Sequence, residues 1–155
     1  MTEYDAIISG DAAVGENKKI CILSKENMEK LSPFFKPLHV IISICEPNEI
    51  SIFNYNKNRS NILRVTFMDI DKCINNSDVI FNTKIAEKVV HFCNKYRNNN
   101  IYFYIHCTAG ISRSAGLGAA ISKYYNNDDS WFFKYKVPNR LVYRKTLEAF
   151  YSIFG

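Results

Sequence analysis

The sequence predicts an α/β domain built on a mostly parallel central sheet with helices on both faces. Three apolar stretches rich in β-branched residues, 39–45, 61–67 and 101–106, have the length of strands that are buried on both faces. Segments with the apolar spacing of helices lie between and after them. Strands that alternate with helices are typical of a parallel sheet covered on both sides.

The chain begins its regular structure with a strand and a helix. Residues 19–24 alternate like a short strand, which makes them the first strand of the predicted sheet. A helix is predicted over 26–35, because Met28 and Leu31 have helical spacing and Pro37 ends the pattern. Together these two segments indicate the start of a β-α repeat.

Three further helices complete the predicted order. The segment 77–96 carries a broad apolar stripe between two of the buried strands, and 112–125 and 139–154 also show helical spacing. Asparagine-rich stretches separate the apolar segments and predict the loops. These stretches are 54–61, 75–76, 98–100 and 126–127.

Length and composition indicate one globular unit. The chain has 155 residues, so we expect a single domain over residues 1–155. Hydrophobic residues make up 47% of the chain, which excludes intrinsic disorder of its body. The longest apolar runs have about the length of a strand and fall well short of the ~20 residues that a membrane helix needs. We therefore expect no membrane span.

Charge and cysteine content restrict the binding partners and the cellular compartment that the sequence allows. The net charge is +5, but the lysines are scattered, so the sequence favours no nucleic-acid partner. The acidic N-terminus offers no basic segment followed by a long apolar one, which argues against a secretory signal. The five cysteines have irregular spacing without a zinc pattern, which predicts free thiols and no metal site. We expect a cytoplasmic protein.

The strand at 101–106 runs into a loop with the composition of an anion-binding site. A loop that turns its backbone N–H groups inward makes a nest for a tetrahedral oxyanion, and Gly110 permits the tight path that this requires. The helix that follows adds the positive end of its dipole. The residues predicted to bind phosphate are Thr108, Ala109, Gly110, Ile111, Ser112 and Arg113.

The side chains at the ends of this loop suit the cleavage of phosphate esters. Arg113 can return over the loop and bind two phosphate oxygens with its planar fork. The positive surroundings favour the thiolate of Cys107, which becomes the nucleophile. His106 can orient the loop through its ring N–H groups. Ser114 can donate a hydrogen bond to the Cys107 sulfur and so help it to leave a phosphocysteine intermediate.

The pattern His106-Cys107-x5-Arg113-Ser114 resembles the signature of the cysteine-dependent protein tyrosine phosphatases, and the short chain is similar to their dual-specificity branch. The order of elements fits a phosphatase-type fold, and Pro138-Asn139 resembles the segment that opens the last helix of such enzymes. The resemblance implies hydrolysis of phosphotyrosine, and in a dual-specificity enzyme also of phosphoserine and phosphothreonine. The substrate would be a phosphoprotein or phosphopeptide, the reaction would need no metal or cofactor, and Asn139 would have a supporting role.

The resemblance also implies an aspartic acid, upstream of the loop, that covers the pocket and acts as general acid. Asp69 and Asp71 are candidates, because they follow the strand at 61–67 and so lie at the same edge of the sheet as the loop. Resemblance to the family pattern after this strand favours Asp69, with Asp71 as the alternative. Asp78 is a third candidate but is expected to cap the next helix.

Other functions stay open at this point. A phosphopeptide-binding pseudophosphatase would keep the pocket but turn over too slowly to matter. A sulfurtransferase of the rhodanese type also places a cysteine in an anion-binding loop, but Ser114 and the upstream acid speak against it. The loop lacks the lysines of phosphoinositide-directed relatives, which disfavours a lipid substrate. The single tryptophan, Trp131, follows Cys107, so the W-P-D segment of the larger tyrosine-specific relatives is absent.

Overall fold

The computed structural model describes residues 13–14, 18–34, 39–51, 61–98 and 102–155, the first pair by its backbone alone. Within these ranges lie five strands and five α-helices. The strands are β1 (Ala13–Val14), β2 (Lys19–Ser24), β3 (Val40–Cys45), β4 (Ile62–Thr66) and β5 (Tyr102–Cys107). The helices are α1 (Lys25–Leu31), α2 (Thr83–Asn94), α3 (Arg113–Asn126), α4 (Ser130–Tyr135) and α5 (Arg140–Phe154).

The strands form one sheet in the order β1-β2-β5-β3-β4. The strands β2, β5, β3 and β4 run parallel to one another, and β1 pairs antiparallel with β2 at the edge. The prediction of a mostly parallel sheet is therefore confirmed. Since β5 is the central strand, Cys107 at its end lies opposite Ser24 at the end of β2, and His106 lies opposite Ser43 of β3.

Helices cover both faces of the sheet, as the sequence predicts, but unequally. Met28 and Leu31 of α1 pack with Tyr104 in a small core on one face. The larger core lies on the other face, where α2, α3 and α5 pack against the sheet. Successive side chains of a strand point to opposite faces. Cys107 therefore belongs to the larger core, and His106 points to the face that α1 covers.

The carboxyl ends of the four parallel strands meet at one edge of the sheet. Open α/β sheets place their ligand sites at this edge, because the loops there lead into helix N-termini. The loop 108–112 follows β5, Glu46 follows β3, and the segment 67–71 follows β4. These three segments surround the candidate site.

The prediction of a helix over 77–96 is wrong for its first turns, because α2 begins only at Thr83. The side chain of Asn82 caps α2 by accepting the N–H of Ile85 at 2.9 Å. The expectation that Asp78 caps this helix is also wrong. Asp78 accepts the backbone N–H groups of Ile74 and Asn75 at 2.9 and 2.8 Å, so it stabilises a local turn that competes with the helix.

The first helix is shorter than the predicted 26–35. It begins after Ser24, whose hydroxyl accepts the N–H of Asn27 at 3.1 Å, and it ends at Leu31. A 3-10 turn over Ser32–Phe34 continues it. The other predicted strands and helices agree with the structure to within one or two residues.

Asn126, predicted as a loop residue, is the last residue of α3. Its side chain accepts the backbone N–H of Lys18 at 2.7 Å and donates to the Lys18 carbonyl at 3.0 Å. Asn127 takes the left-handed conformation with φ 58° and ends the helix. The strand β1 and the short helix α4 were not among the predicted elements.

Some predictions fall on parts of the chain outside the described residues. They include the N-terminal residues 1–12, most of the asparagine-rich stretch 54–61, and residues 99–100. Among the helices that are described, none has both the length and the apolar character needed to cross a bilayer.

Candidate active site

Cys107 ends the central strand, and its sulfur lies at the floor of the loop that follows. The residue is 2% exposed. Its Sγ lies 3.1 Å from the Oγ of Ser114, and the backbone N–H of Gly110 donates to it at 3.3 Å. The sulfur is therefore held by a backbone N–H from the loop and by a hydroxyl from the start of α3.

The loop closes tightly because Gly110 packs directly on the end of β2. Gly110 has φ +72°, and a Cβ there would lie 2.7 Å from the carbonyl carbon of Leu23 and from the nitrogen of Ser24. Glycine meets both the conformational and the steric demand. In addition, the N–H of Lys25 donates to the carbonyl of Thr108 at 3.1 Å. The end of β2 and the start of α1 thus support the loop.

His106 is buried beneath the loop on the α1 face of the sheet. Its Nε2 lies 2.6 Å from the Oγ of Ser43 in β3, and its Nδ1 lies 3.4 Å from the carbonyl oxygen of Cys107. A neutral ring with its proton on Nδ1 donates to that carbonyl and accepts from the Ser43 hydroxyl. Burial lowers the pKa of His106 to about 4, so the ring is neutral at pH 7.

Arg113 is the first residue of α3, and its guanidinium turns back to the loop. The residue is 4% exposed. One terminal nitrogen donates to the carbonyl of Phe67 at 3.0 Å. The other donates to the Oγ1 of Thr108 at 3.1 Å and forms an ion pair with Glu46 at 2.5 Å. The ends of β3 and β4 therefore hold this guanidinium beside the loop.

The third guanidinium nitrogen, Nε of Arg113, is buried and has no hydrogen-bond partner within the described residues. A buried unpaired donor costs about 1–3 kcal/mol, so it marks a place where a ligand can complete the structure. The helix α3 also begins here without an acidic first turn or a side-chain cap. Its free N–H groups and its dipole favour an anion. The described side chains form no cluster suited to a metal ion.

Asp69 lies against the loop and is held there by two hydrogen bonds. Its Oδ1 accepts the hydroxyl of Ser112 at 2.8 Å and the side-chain N–H of Asn139 at 3.0 Å. Both bonds go to the same oxygen, which leaves Oδ2 without a hydrogen bond to the described residues. Asp71 is exposed on the wall of the neighbouring cleft. Of the two candidates, Asp69 is the one joined to the loop.

Asn139 connects the acid, the loop and the last helix. Its Nδ2 donates to Asp69 and also to the carbonyl of Ile70 at 3.2 Å. Its Oδ1 accepts the N–H groups of Leu141 and Val142 in the first turn of α5, both at 3.1 Å, and its backbone N–H donates to the Ser112 carbonyl at 2.9 Å. Asn139 is therefore a positioning residue for Asp69 and for the start of α5.

A cleft of about 470 Å³ opens beside the loop. It is lined by Asp69, Ile70, Asp71, Lys72, Ile74, Ser112, Val137, Pro138, Asn139 and Arg140. Ile74 and Val137 are each 71% exposed. Ile111, whose carbonyl accepts the N–H of Val137 at 3.1 Å, is 46% exposed. We call Ile74, Ile111 and Val137 the apolar rim.

The structure brings together most of the residues that the sequence singles out. Those around the loop are His106, Cys107, Thr108, Ala109, Gly110, Ile111, Ser112, Arg113, Ser114, Asp69 and Asn139. The sequence patterns did not indicate Glu46, Ser43 or the Phe67 carbonyl, which also contact these residues. An acid directly after a buried parallel strand is a signal that could have identified Glu46. A backbone carbonyl leaves no such signal.

Comparison with known proteins links this architecture to solved structures. No family model matches the chain, and a search of curated proteins finds no match. The crystal structure of Tk-PTP in the active form superposes with a TM-score of 0.56, covering 86% of this chain and 92% of that one, at 12% identity. PTPMT1 in complex with PI(5)P superposes with a TM-score of 0.55, covering 88% and 92%, at 17% identity. The chain therefore has the fold of protein tyrosine phosphatases.

We expect Gly110→Ala to open the loop, because the new Cβ would meet the end of β2. The variant should lose roughly 1–3 kcal/mol of stability in urea denaturation and most of its affinity for orthovanadate. Gly155→Ala is the matched control, since Gly155 also has a positive φ, +75°, but a Cβ there would meet nothing within 4 Å. Equal effects of the two changes would contradict the role given to the β2 contact.

The buried His106 should make stability depend on pH. Its pKa is about 4 in the folded protein and 6.5 when unperturbed, so the unfolded state binds more protons between these values. Stability therefore rises with pH through this window, and His106 should account for a loss of roughly 2 kcal/mol between about pH 7 and pH 5. Urea denaturation of the wild type and of His106→Asn measures this. Equal pH dependence in both proteins would show that another group is responsible.

Proposed function

We propose that this chain is a cysteine-dependent phosphatase that hydrolyses phosphate monoesters, with phosphotyrosine in proteins as its main substrate class. The observation that carries the proposal is the Cys107 sulfur, which receives the Gly110 N–H inside a loop flanked by the buried, unpaired Nε of Arg113. Inward N–H groups, a helix N-terminus and a guanidinium are the donors that a phosphate dianion needs.

The first chemical step transfers the phosphoryl group to Cys107. The thiolate attacks phosphorus, an S–P bond forms, and the bond between phosphorus and the ester oxygen breaks. Asp69 gives its proton, from Oδ2, to the departing oxygen, so the alcohol or phenol leaves neutral. Arg113 and the loop N–H groups stabilise the charge that develops on the three equatorial oxygens.

The second step releases phosphate. The Asp69 carboxylate, now without its proton, takes a proton from water as the water oxygen attacks phosphorus. The S–P bond breaks, and its electron pair returns to the Cys107 sulfur. The Ser114 hydroxyl, 3.1 Å from that sulfur, donates to the departing thiolate. Inorganic phosphate leaves, and the enzyme is ready for another cycle.

Substrate binding also changes the partners of Arg113. In the free protein Glu46 neutralises the guanidinium from a side chain that is 43% exposed. A phosphate dianion carries more charge than this carboxylate and can accept from Nε as well. Phosphate therefore competes with Glu46 for one terminal nitrogen, while the carbonyl of Phe67 keeps the other nitrogen in place.

The walls of the pocket favour an aromatic ester. The apolar rim of Ile74, Ile111 and Val137 borders the loop and the cleft, and apolar side chains at such a mouth bury the ring of phosphotyrosine. PTPMT1 was solved with PI(5)P. In this chain the loop between Cys107 and Arg113 has no lysine. We therefore favour a protein substrate over a lipid.

We also propose that the protein acts in the cytoplasm. All five cysteines are free thiols. The proposed nucleophile needs a reduced sulfur, and a reducing compartment keeps it in that form.

Hydrolysis of p-nitrophenyl phosphate in the presence of EDTA tests the proposed function. The wild type should turn over, and orthovanadate should inhibit it. Cys107→Ser should lose roughly a thousandfold or more in kcat but still bind phosphate, because the loop N–H groups and Arg113 remain. Cys93→Ser changes another buried cysteine, in α2 and outside the loop, and should keep the wild-type rate.

The other outcomes distinguish the alternatives. A wild type that binds a phosphotyrosine peptide but does not hydrolyse it would be a pseudophosphatase. Sulfur transfer from thiosulfate to cyanide, without phosphatase activity, would identify a sulfurtransferase. Cys107→Ser with near-normal turnover would rule out this cysteine as the nucleophile.

The general acid can be identified by its dependence on the leaving group. Asp69→Asn should slow a phosphotyrosine peptide by roughly a hundredfold, because phenolate needs a proton to leave. It should slow p-nitrophenyl phosphate far less, because nitrophenolate leaves without one. Asp71→Asn is the matched control and should affect both substrates only mildly. If Asp71→Asn, and not Asp69→Asn, slows the peptide more than p-nitrophenyl phosphate, the assignment is reversed. If neither variant slows the two substrates differently, the acid lies elsewhere.

A further inference from the structure

Two adjoining cavities lead from the phosphate loop to the outer face of α5. The cleft beside the loop, about 470 Å³, reaches from Ser112 to Arg140. A second cavity of about 290 Å³ is lined by Asp71, Arg140, Leu141, Tyr143 and Arg144. Both cavities share Asp71 and Arg140. The two cavities therefore adjoin at these residues, and we call them together the groove.

Arg140 lines both cavities and carries an exposed cationic side chain. Its guanidinium carbon lies 5.5 Å from the centre of the Phe133 ring, and this cation–π contact holds the side chain in place. Within the described residues it forms no ion pair. A planar guanidinium held on one face by an aromatic ring keeps its N–H groups free for an acceptor. Arg140 is therefore ready to bind an anionic group.

The other charges of the groove add to this preference. Arg144, one turn further along α5, makes a loose contact of 3.9 Å with Glu148, and both side chains are mostly exposed. Lys72, which follows the segment 67–71 after β4, also lines the cleft. Two carboxylates, Asp69 and Asp71, face these three cations, and Asp69 is already hydrogen-bonded to the loop and to Asn139. The lining of the groove thus holds one more cation than carboxylates, while Glu148, which pairs with Arg144, lies outside that lining.

We propose that Arg140, supported by Arg144, binds a second anionic group on the substrate, a carboxylate or a second phosphate that flanks the phosphotyrosine. This inference rests on the proposed function. Arg140 directly follows Asn139 in the sequence, and Asn139 donates to Asp69, the proposed general acid. The second site therefore adjoins the proposed catalytic residues. An extended peptide advances about 3.3 Å per residue. The anionic group therefore belongs to a residue close to the phosphotyrosine in the substrate sequence.

Peptide kinetics test this proposal. We would compare kcat/KM for three phosphotyrosine peptides of equal length, one with alanine, one with glutamate and one with phosphoserine at the flanking positions. The wild type should prefer an anionic peptide over the alanine peptide by roughly tenfold, as for one charge-assisted hydrogen bond. The glutamate and phosphoserine arms show which anion fits better.

Arg140→Met keeps an apolar stem against Phe133 but removes the charge, so the preference should fall to about one. Arg144→Met should reduce it partly, and it provides a second variant if Arg140→Met folds poorly. Arg97→Met removes the same charge from an exposed residue after α2, outside the residues that line the groove, and should leave the preference unchanged. The preference is a ratio of two kcat/KM values for the same variant. A change in the chemical step that affects all peptides equally therefore cancels.

The outcomes separate this inference from the proposed function. Hydrolysis of all peptides at equal rates by the wild type, or an unchanged preference in Arg140→Met, would overturn the second site and leave the phosphatase intact. Absence of any hydrolysis would overturn the proposed function itself. In that event the affinities of the three peptides still report on the groove. Equal affinities would reject the second site, and tighter binding of an anionic peptide that Arg140→Met abolishes would support it.

Discussion

The contact between Gly110 and the end of β2 determines the geometry of the whole site. The central strand delivers Cys107 to the edge of the sheet, and the chain must then turn within a short loop to begin α3. It can do so because Gly110 takes a φ of +72° and has no Cβ to meet the backbone of Leu23 and Ser24. The same turn aims the Gly110 N–H at the sulfur and brings Arg113 to the start of the helix. One glycine therefore positions the Cys107 sulfur, a backbone donor and the Arg113 guanidinium together.

Burial of Arg113 is the second constraint, and it explains why three strand ends are needed. A buried charge is costly unless it is paired and hydrogen-bonded. The Phe67 carbonyl after β4, Thr108 after β5 and Glu46 after β3 each satisfy part of the guanidinium. The Nε group has no hydrogen-bond partner among the described residues. In the proposed reaction the entering phosphate supplies that acceptor.

The sequence was sufficient to predict the four parallel strands, because buried parallel strands are continuous or alternating apolar runs. It also indicated the loop between Cys107 and Arg113, because a glycine lies within this short segment between a strand and a helix. The start of α2 could not be predicted in this way. There the carboxylate of Asp78 binds two backbone N–H groups and replaces the helical turns that the apolar pattern indicates. The Glu46 contact also depends on strand order, which is a tertiary property.

The position of Asp69 depends on helix packing more than on the strand that precedes it. Asp69 is joined to Ser112 at the start of α3 and to Asn139 at the start of α5. These two helix ends lie close together because Gly116 has no side chain, and a Cβ there would lie 2.8 Å from the Asn139 carbonyl oxygen. The backbone N–H of Asn139 then reaches the Ser112 carbonyl, 2.9 Å away. A change in the packing of α3 against α5 would therefore move Asp69 and the loop 108–112 together, which keeps this carboxylate in register with the loop.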